Sequence, residues 1–129
     1  MYVDDFERNA DTVDTEAELL TRLRTVRRGD YGAFFLYHTE PHPTLSVQFN
    51  RDIAYLHYFP SDDHPGYQPC QMTPDGCDGD VHFLQTDGSE ANSFDVSSDA
   101  LVSADVAYIA AIEFLRSAEL PPSVSWFEL

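Results

Sequence analysis

The period of hydrophobic and polar positions changes several times along this chain, and each change marks an element. At residues 45–49, Leu45, Val47 and Phe49 alternate with Ser46 and Gln48, the two-residue period of a strand buried on one face. Asn50-Arg51 fits a tight hairpin turn into residues 52–59, where Ile53, Ala54, Tyr55, Leu56, Tyr58 and Phe59 leave neither face polar. A run apolar on both faces belongs in the middle of a sheet. The aromatic-dense segment 33–38 predicts another strand, broken off by Pro41 and Pro43. Val81, Phe83 and Leu84 predict a further one; Asp87-Gly88 turns the chain, and Phe94 and Val96 mark the return strand. Residues 123–129 alternate once more, with Val124 and Trp126 expected to point inward.

Two segments switch to helical spacing. Thr15 followed three residues later by Glu18 is a capping box, and Leu19, Leu20, Leu23 and Val26 then recur on one helix face. Arg22, Arg24, Arg27 and Arg28 load its C-terminal half, where positive charge suits the dipole; they read as a solvated face, with Gly29 as the stop. Ser103 caps a second helix, with Asp105 in its first turn. Its apolar residues from Val106 to Leu115 wrap nearly all the way round, which predicts packing over a sheet, and Pro121-Pro122 ends it. Residues 1–13 show no period. Residues 60–79, with four prolines, predict a long irregular excursion. The expected fold is one α+β domain over residues 1–129: a mainly antiparallel sheet of about five to seven strands with two α-helices packed on it.

Charge changes the picture more than any motif does. Seven basic residues, all arginine, stand against 23 acidic ones, a net charge of −16. Between Arg51 and Arg116 there is no basic residue and there are twelve acidic ones. Such a field repels phosphate backbones and anionic lipid, so neither nucleic acid nor membrane is expected as a partner. It attracts basic proteins and speeds their encounter. No apolar run is long enough to span a bilayer and the start is not signal-like, which leads us to expect a cytoplasmic protein with its two cysteines, Cys70 and Cys77, reduced.

Catalytic signals are sparse. There is no G-x-S-x-G, no glycine-rich phosphate loop, and no cation or helix start beside Cys70 to make a thiolate. His38, His57 and His82 would share one face if their strands were neighbours, but a metal site needs three converging ligands. Asp75, Asp78 and Asp80 in PDGCDGDV depart from the EF-hand pattern: the glycine is misplaced and no Glu closes the loop. No catalytic residue, metal ligand or cofactor is therefore assigned, and an enzyme is not expected. Interface signals are richer. Tyrosine is a favoured anchor, and Tyr67 in the proline-rich segment is the best exposed candidate.

Four stretches in order, MYVDDF, RDIAYLHYF, VSADVAYIAAIEFL and PPSVSWFEL, resemble the immunity proteins of bacterial polymorphic toxin systems. The likeness is to the DddI-like group in particular, which neutralise deaminase toxins acting on cytosine in DNA. Residues 60–100 lie outside the resemblance. It implies no catalytic residue. It implies a tight inhibitor, made beside its toxin, that occludes the toxin's active site, a monomer binding one to one. The partner would be a basic, zinc-dependent deaminase, whose cleft must hold a nucleic-acid strand beside a zinc-bound water.

Carboxylates could occupy the phosphate positions of such a cleft, and an aromatic ring the place of a base. The contact candidates are Asp62, Asp63, Tyr67, Asp75, Asp78, Asp80, Asp87 and Glu90, all in the segment without basic residues. Exposed carboxylates contribute only about 0–1 kcal/mol each. Nanomolar binding needs roughly −12 kcal/mol, so buried anchors must supply much of it. Two alternatives stay open: an acidic DNA mimic directed at another basic protein, and a metal-binding enzyme using the histidines and cysteines.

Overall fold

The computed structural model describes residues 1–5, 10–26, 29–84 and 93–129. They form β1 (Tyr2–Asp5), β2 (Ala10–Thr12), α1 (Glu16–Thr25), β3 (Tyr31–Tyr37), β4 (Thr44–Asn50), β5 (Ile53–Phe59), β6 (Tyr67–Pro69), β7 (Asp80–Phe83), β8 (Phe94–Ser97), β9 (Val102–Ser103), α2 (Ala104–Ser117) and β10 (Trp126–Glu128). Eight strands make one antiparallel sheet in the order β10-β6-β5-β4-β3-β1-β2, with β9 also paired to β5; β7 and β8 pair separately. The fold is α+β.

Alternation along β3, β4 and β5 sorts the side chains onto two faces. Phe34, Val47 and Leu56 stand in one row across the three strands, and Phe35, Ser46 and His57 in the next, on the opposite face. The first face packs under both helices. Leu19 and Leu23 of α1 and Ala107, Ala110, Ala111 and Phe114 of α2 join Val3, Leu36, Leu45, Val47, Phe49, Ala54 and Leu56 in one buried cluster. Alanines on the inner side of α2 let its axis lie close to β4 and β5. The apolar run at residues 53–59 does sit centrally, with β4 on one side and β6 and β9 sharing the other.

Several sequence expectations are corrected. Residues 1–13 hold two strands, and the proline-rich segment 60–79 holds β6, so there are more strands than expected. Strands of two to four residues are too short to show a period; they form because a neighbour offers an edge. Tyr67–Pro69 finds Tyr58 on one side and Trp126–Glu128 on the other. The β4–β5 turn is Arg51-Asp52, because Asn50 still pairs with Ile53 and its side-chain amide donates to the His82 carbonyl at 2.9 Å. Thr15 caps α1 by accepting from the Glu18 amide, but the helix ends at Thr25, ahead of Gly29. Ser103 caps α2 as expected; the helix stops at Ser117, with Ala118 left-handed at φ 58°, before the prolines are reached. Ile109 is 51% exposed, so the apolar circumference of α2 is covered on its sheet side and not all round.

The arginines of α1 are not simply a solvated face. Arg22, with a side chain only 16% exposed, reaches Asp5 of β1 at 2.9 Å and also pairs with Asp11 of β2. Arg24 lies 4.9 Å over the Tyr108 ring of α2. Arg27 and Arg28 lie outside the described residues.

Candidate interaction surface

The sheet face away from the helices is aromatic and only partly covered. Over its β4–β5 turn end sits the β7–β8 pair. Gln48 donates to the Leu84 carbonyl and Asn50 to that of His82, while Phe83 and Phe94 pack on Tyr55 at centroid distances of 6.2 and 6.3 Å. This explains why Gln48 is buried although it lies on the polar side of β4. Among the described residues, nothing covers the rest of the face. Two adjoining clefts cross it, of about 510 and about 360 Å³. The larger is lined by Asp4, Phe35, Tyr37, Pro41, His42, Thr44 and Phe59, and the smaller by Phe35, Ser46, Tyr55, His57, Phe59 and Phe94. Phe35 and Phe59 belong to both, so the two form one trough. Tyr2, stacked on Tyr37 at 5.3 Å, extends its wall.

The trough is electrically negative. Burial first, then the neighbouring Asp4 charge, hold the Tyr37 phenol above the ordinary value. At the rim His42 Nδ1 meets Asp62 at 3.2 Å. No arginine lines either cleft among the described residues. Arg22 and Arg116 are paired on the helix side, Arg24 stacks there, and Arg51 pairs with Asp30 beyond the covered end. A larger cleft of about 610 Å³, between β2 and α1, has no aromatic wall and contains Arg22.

The predicted contact residues fall into separate places. Asp62 and Asp63 are exposed in the turn after β5, beside the trough. Asp75, Asp78 and Asp80 are exposed. Asp78 shares the surroundings of Cys77 with Asp52, and Asp80 precedes Val81, which lines a cleft with residues 50–53, so these two lie at the β4–β5 turn, the other end of a seven-residue strand and roughly 20 Å away. Asp87 and Glu90 lie outside the described residues. Tyr67 is not an exposed loop anchor. It is half-buried in β6, stacked on His64 at 5.2 Å, and its hydroxyl donates to Glu128 at 3.0 Å. Glu128 also accepts from His64 Nε2 at 2.7 Å, while His64 Nδ1 accepts from the Gly66 amide at 2.8 Å. Hydrogen bonds from these two donors hold the Glu128 carboxyl below its usual range. This cluster ties β10 to the loop, and Tyr67 has a structural role in it.

The histidines also serve different elements. His38 Nε2 contacts the Phe114 carbonyl at 2.9 Å under α2, His57 Nε2 donates to the Pro65 carbonyl at 2.8 Å, and His82 Nδ1 meets Asp95 at 2.8 Å. No three His, Cys, Asp or Glu side chains converge as a metal site would require among the described residues. Cys70 and Cys77 are separate thiols, and burial first, then Asp78 and Asp52, push the Cys77 thiol up, away from the reactive thiolate. What sequence reasoning missed was the trough itself: Asp4, Phe35, Tyr37 and Phe59. The available signal was the second apolar face of segment 52–59 and the aromatic density of segment 33–38.

His57 gives the trough a pH response. Its ring stacks on Phe59 at 4.0 Å and is half-buried, and desolvation lowers its pKa below 6.5, against the opposing Pro65 hydrogen bond. The unfolded chain therefore takes up the proton first as pH falls, so stability is complete above 6.5 and declines from there down to the folded value. His57→Gln should flatten the urea-midpoint profile in that window, above the range where carboxylates titrate. A profile identical to wild type there would show that His57 does not cause the decline.

No helix among the described residues is long and apolar enough to cross a membrane. No protein-family model matches the chain. A comparison with curated proteins finds no relative either.

Proposed function

We propose that this chain is an immunity protein that binds and neutralises a cognate bacterial toxin, a basic nucleic-acid deaminase acting on cytosine in DNA, by occluding its active site in the cytoplasm of the producing cell. The observation that carries this reading is the pairing of an open aromatic trough with a surface of net charge −16 whose described arginines are all engaged elsewhere. Aromatic walls offer the desolvated anchors that tight binding needs, and the acidic surround favours a partner built to hold phosphates. The stretches that carry the family resemblance fall on β1, β5, β9 with α2, and β10. They supply much of the core, including Val3, Leu56, Phe114 and Val124. The resemblance is thus one of scaffold, and the acidic segment outside it is where partner choice would vary.

The test uses the toxin module encoded by the adjacent reading frame. Purified chain added at one equivalent should stop its deamination of cytosine in DNA, and raising the ionic strength should weaken the inhibition. Asp62→Asn combined with Asp63→Asn should weaken it by at most about tenfold, because exposed carboxylates contribute little each. Tyr67 is left intact, since truncating it would disturb the Glu128 cluster. Undiminished deamination in excess chain would dismiss the immunity reading. Equal potency of the double variant would remove the turn after β5 from the mechanism.

A further inference from the structure

We infer that the larger cleft of the trough is the seat of a single arginine side chain from the cationic partner. This deepens the proposed reading and rests on it for the partner's identity. Phe35, Tyr37 and Phe59 line an opening of about 510 Å³, with Tyr37 backed by Tyr2 and Phe59 by His57. A planar guanidinium stacks on aromatic faces, and its weak hydration lets it leave water at lower cost than an ammonium. Asp4, opposite Phe35 on the neighbouring strand, sits in the lining with Tyr37 and supplies a carboxylate to the fork of N–H donors. His42 lines the cleft and pairs with Asp62, which is 92% exposed and adds negative charge at the mouth. No described arginine of the chain lines the cleft, and the partner's arginine is assigned to supply the complementary charge. Neutral apolar ligands would leave the Asp4 carboxylate without a cation, and anions would be repelled by it.

Capped tripeptides Gly-Arg-Gly, Gly-Lys-Gly and Gly-citrulline-Gly are the probes, titrated into the isotopically labelled full chain at low salt and followed by NMR. The arginyl peptide should give saturable shifts centred on Phe35, Tyr37 and Phe59. It should bind about tenfold more tightly than the lysyl or citrullyl peptide. Asp4→Asn and, separately, Phe59→Leu should each reduce that preference, with the remaining spectrum unchanged as the check on folding. Shifts spread over the exposed acids at 75–80, equal responses to arginine and lysine, or no saturable response would each overturn the assignment. If the peptide is not bound in the trough but the toxin is still neutralised, only this assignment falls. If the arginyl peptide is bound as described but the toxin is not neutralised, the immunity reading falls and the arginine site stands.

Discussion

Gly66→Ala is expected to lower the unfolding free energy by about 3 kcal/mol, the sum of backbone strain and a clash that cannot relax. Gly66 has φ +100°, and a Cβ there would stand 2.4 Å from His57 Nε2, 2.6 Å from His57 Cδ2 and 2.8 Å from the Tyr58 carbonyl oxygen. The imidazole could swing aside only by leaving the Pro65 carbonyl and its stack on Phe59. The Tyr58 carbonyl belongs to the central strand and has nowhere to go. Both backbone groups of Gly66 are also in use, the amide on His64 Nδ1 and the carbonyl accepting from the Leu129 amide at 2.9 Å. Gly76→Ala is the control. Its φ is +74° but nothing lies within 4 Å of a built Cβ, so it should cost only the backbone part, about 1 kcal/mol. Urea unfolding of the two variants separates the effects; equal losses would show that crowding by β5 adds nothing to the backbone cost at Gly66.

Arg22→Met should cost about 3–5 kcal/mol, because it removes the cation that faces a carboxylate buried from water. Asp5 lies on the same face of β1 as Val3, pointing under α1, and its side chain is only 2% exposed. Arg22 answers it across the layer and meets Asp11 of β2 with its other amino group. The ion pair itself need not stabilise the fold, since removing both charges together removes the penalty. The double variant Asp5→Leu with Arg22→Met should therefore lose less than the sum of the two single variants, giving a coupling energy of about 1–3 kcal/mol in the mutant cycle. Additive losses would show that the pair is solvated and that α1 is held to β1 by its leucines alone.

The long meander β3-β4-β5 was legible because seven residues are enough to show a period, and Leu45, Val47 and Phe49 show it cleanly. The helix starts were legible for a local reason: Thr15 and Ser103 cap amides within three residues of themselves. The helix ends were less so. The sites proved hardest to read. Tyr67 looked like a free anchor because sequence puts it among prolines; contact with Glu128, 61 residues away, gives it a structural task. Arg22 looked solvated because its neighbours in sequence are polar; its partner Asp5 is 17 residues distant. The eight acidic and aromatic candidates looked like one surface because they share a segment, yet β5 holds Asp62 and Asp63 apart from Asp78 and Asp80.

By itself the chain determined its fold class, its central strand, its two helices and the sign of its surface, because each depends on near-neighbour spacing or on a sum over all residues. Tertiary structure alone decided which face of the sheet the helices cover, how far the β7–β8 pair screens the other, and hence that Phe35, Tyr37 and Phe59 line an open trough. Apolar residues on both faces of a strand say that both prefer to leave water. They do not say whether this chain or another one covers the second face.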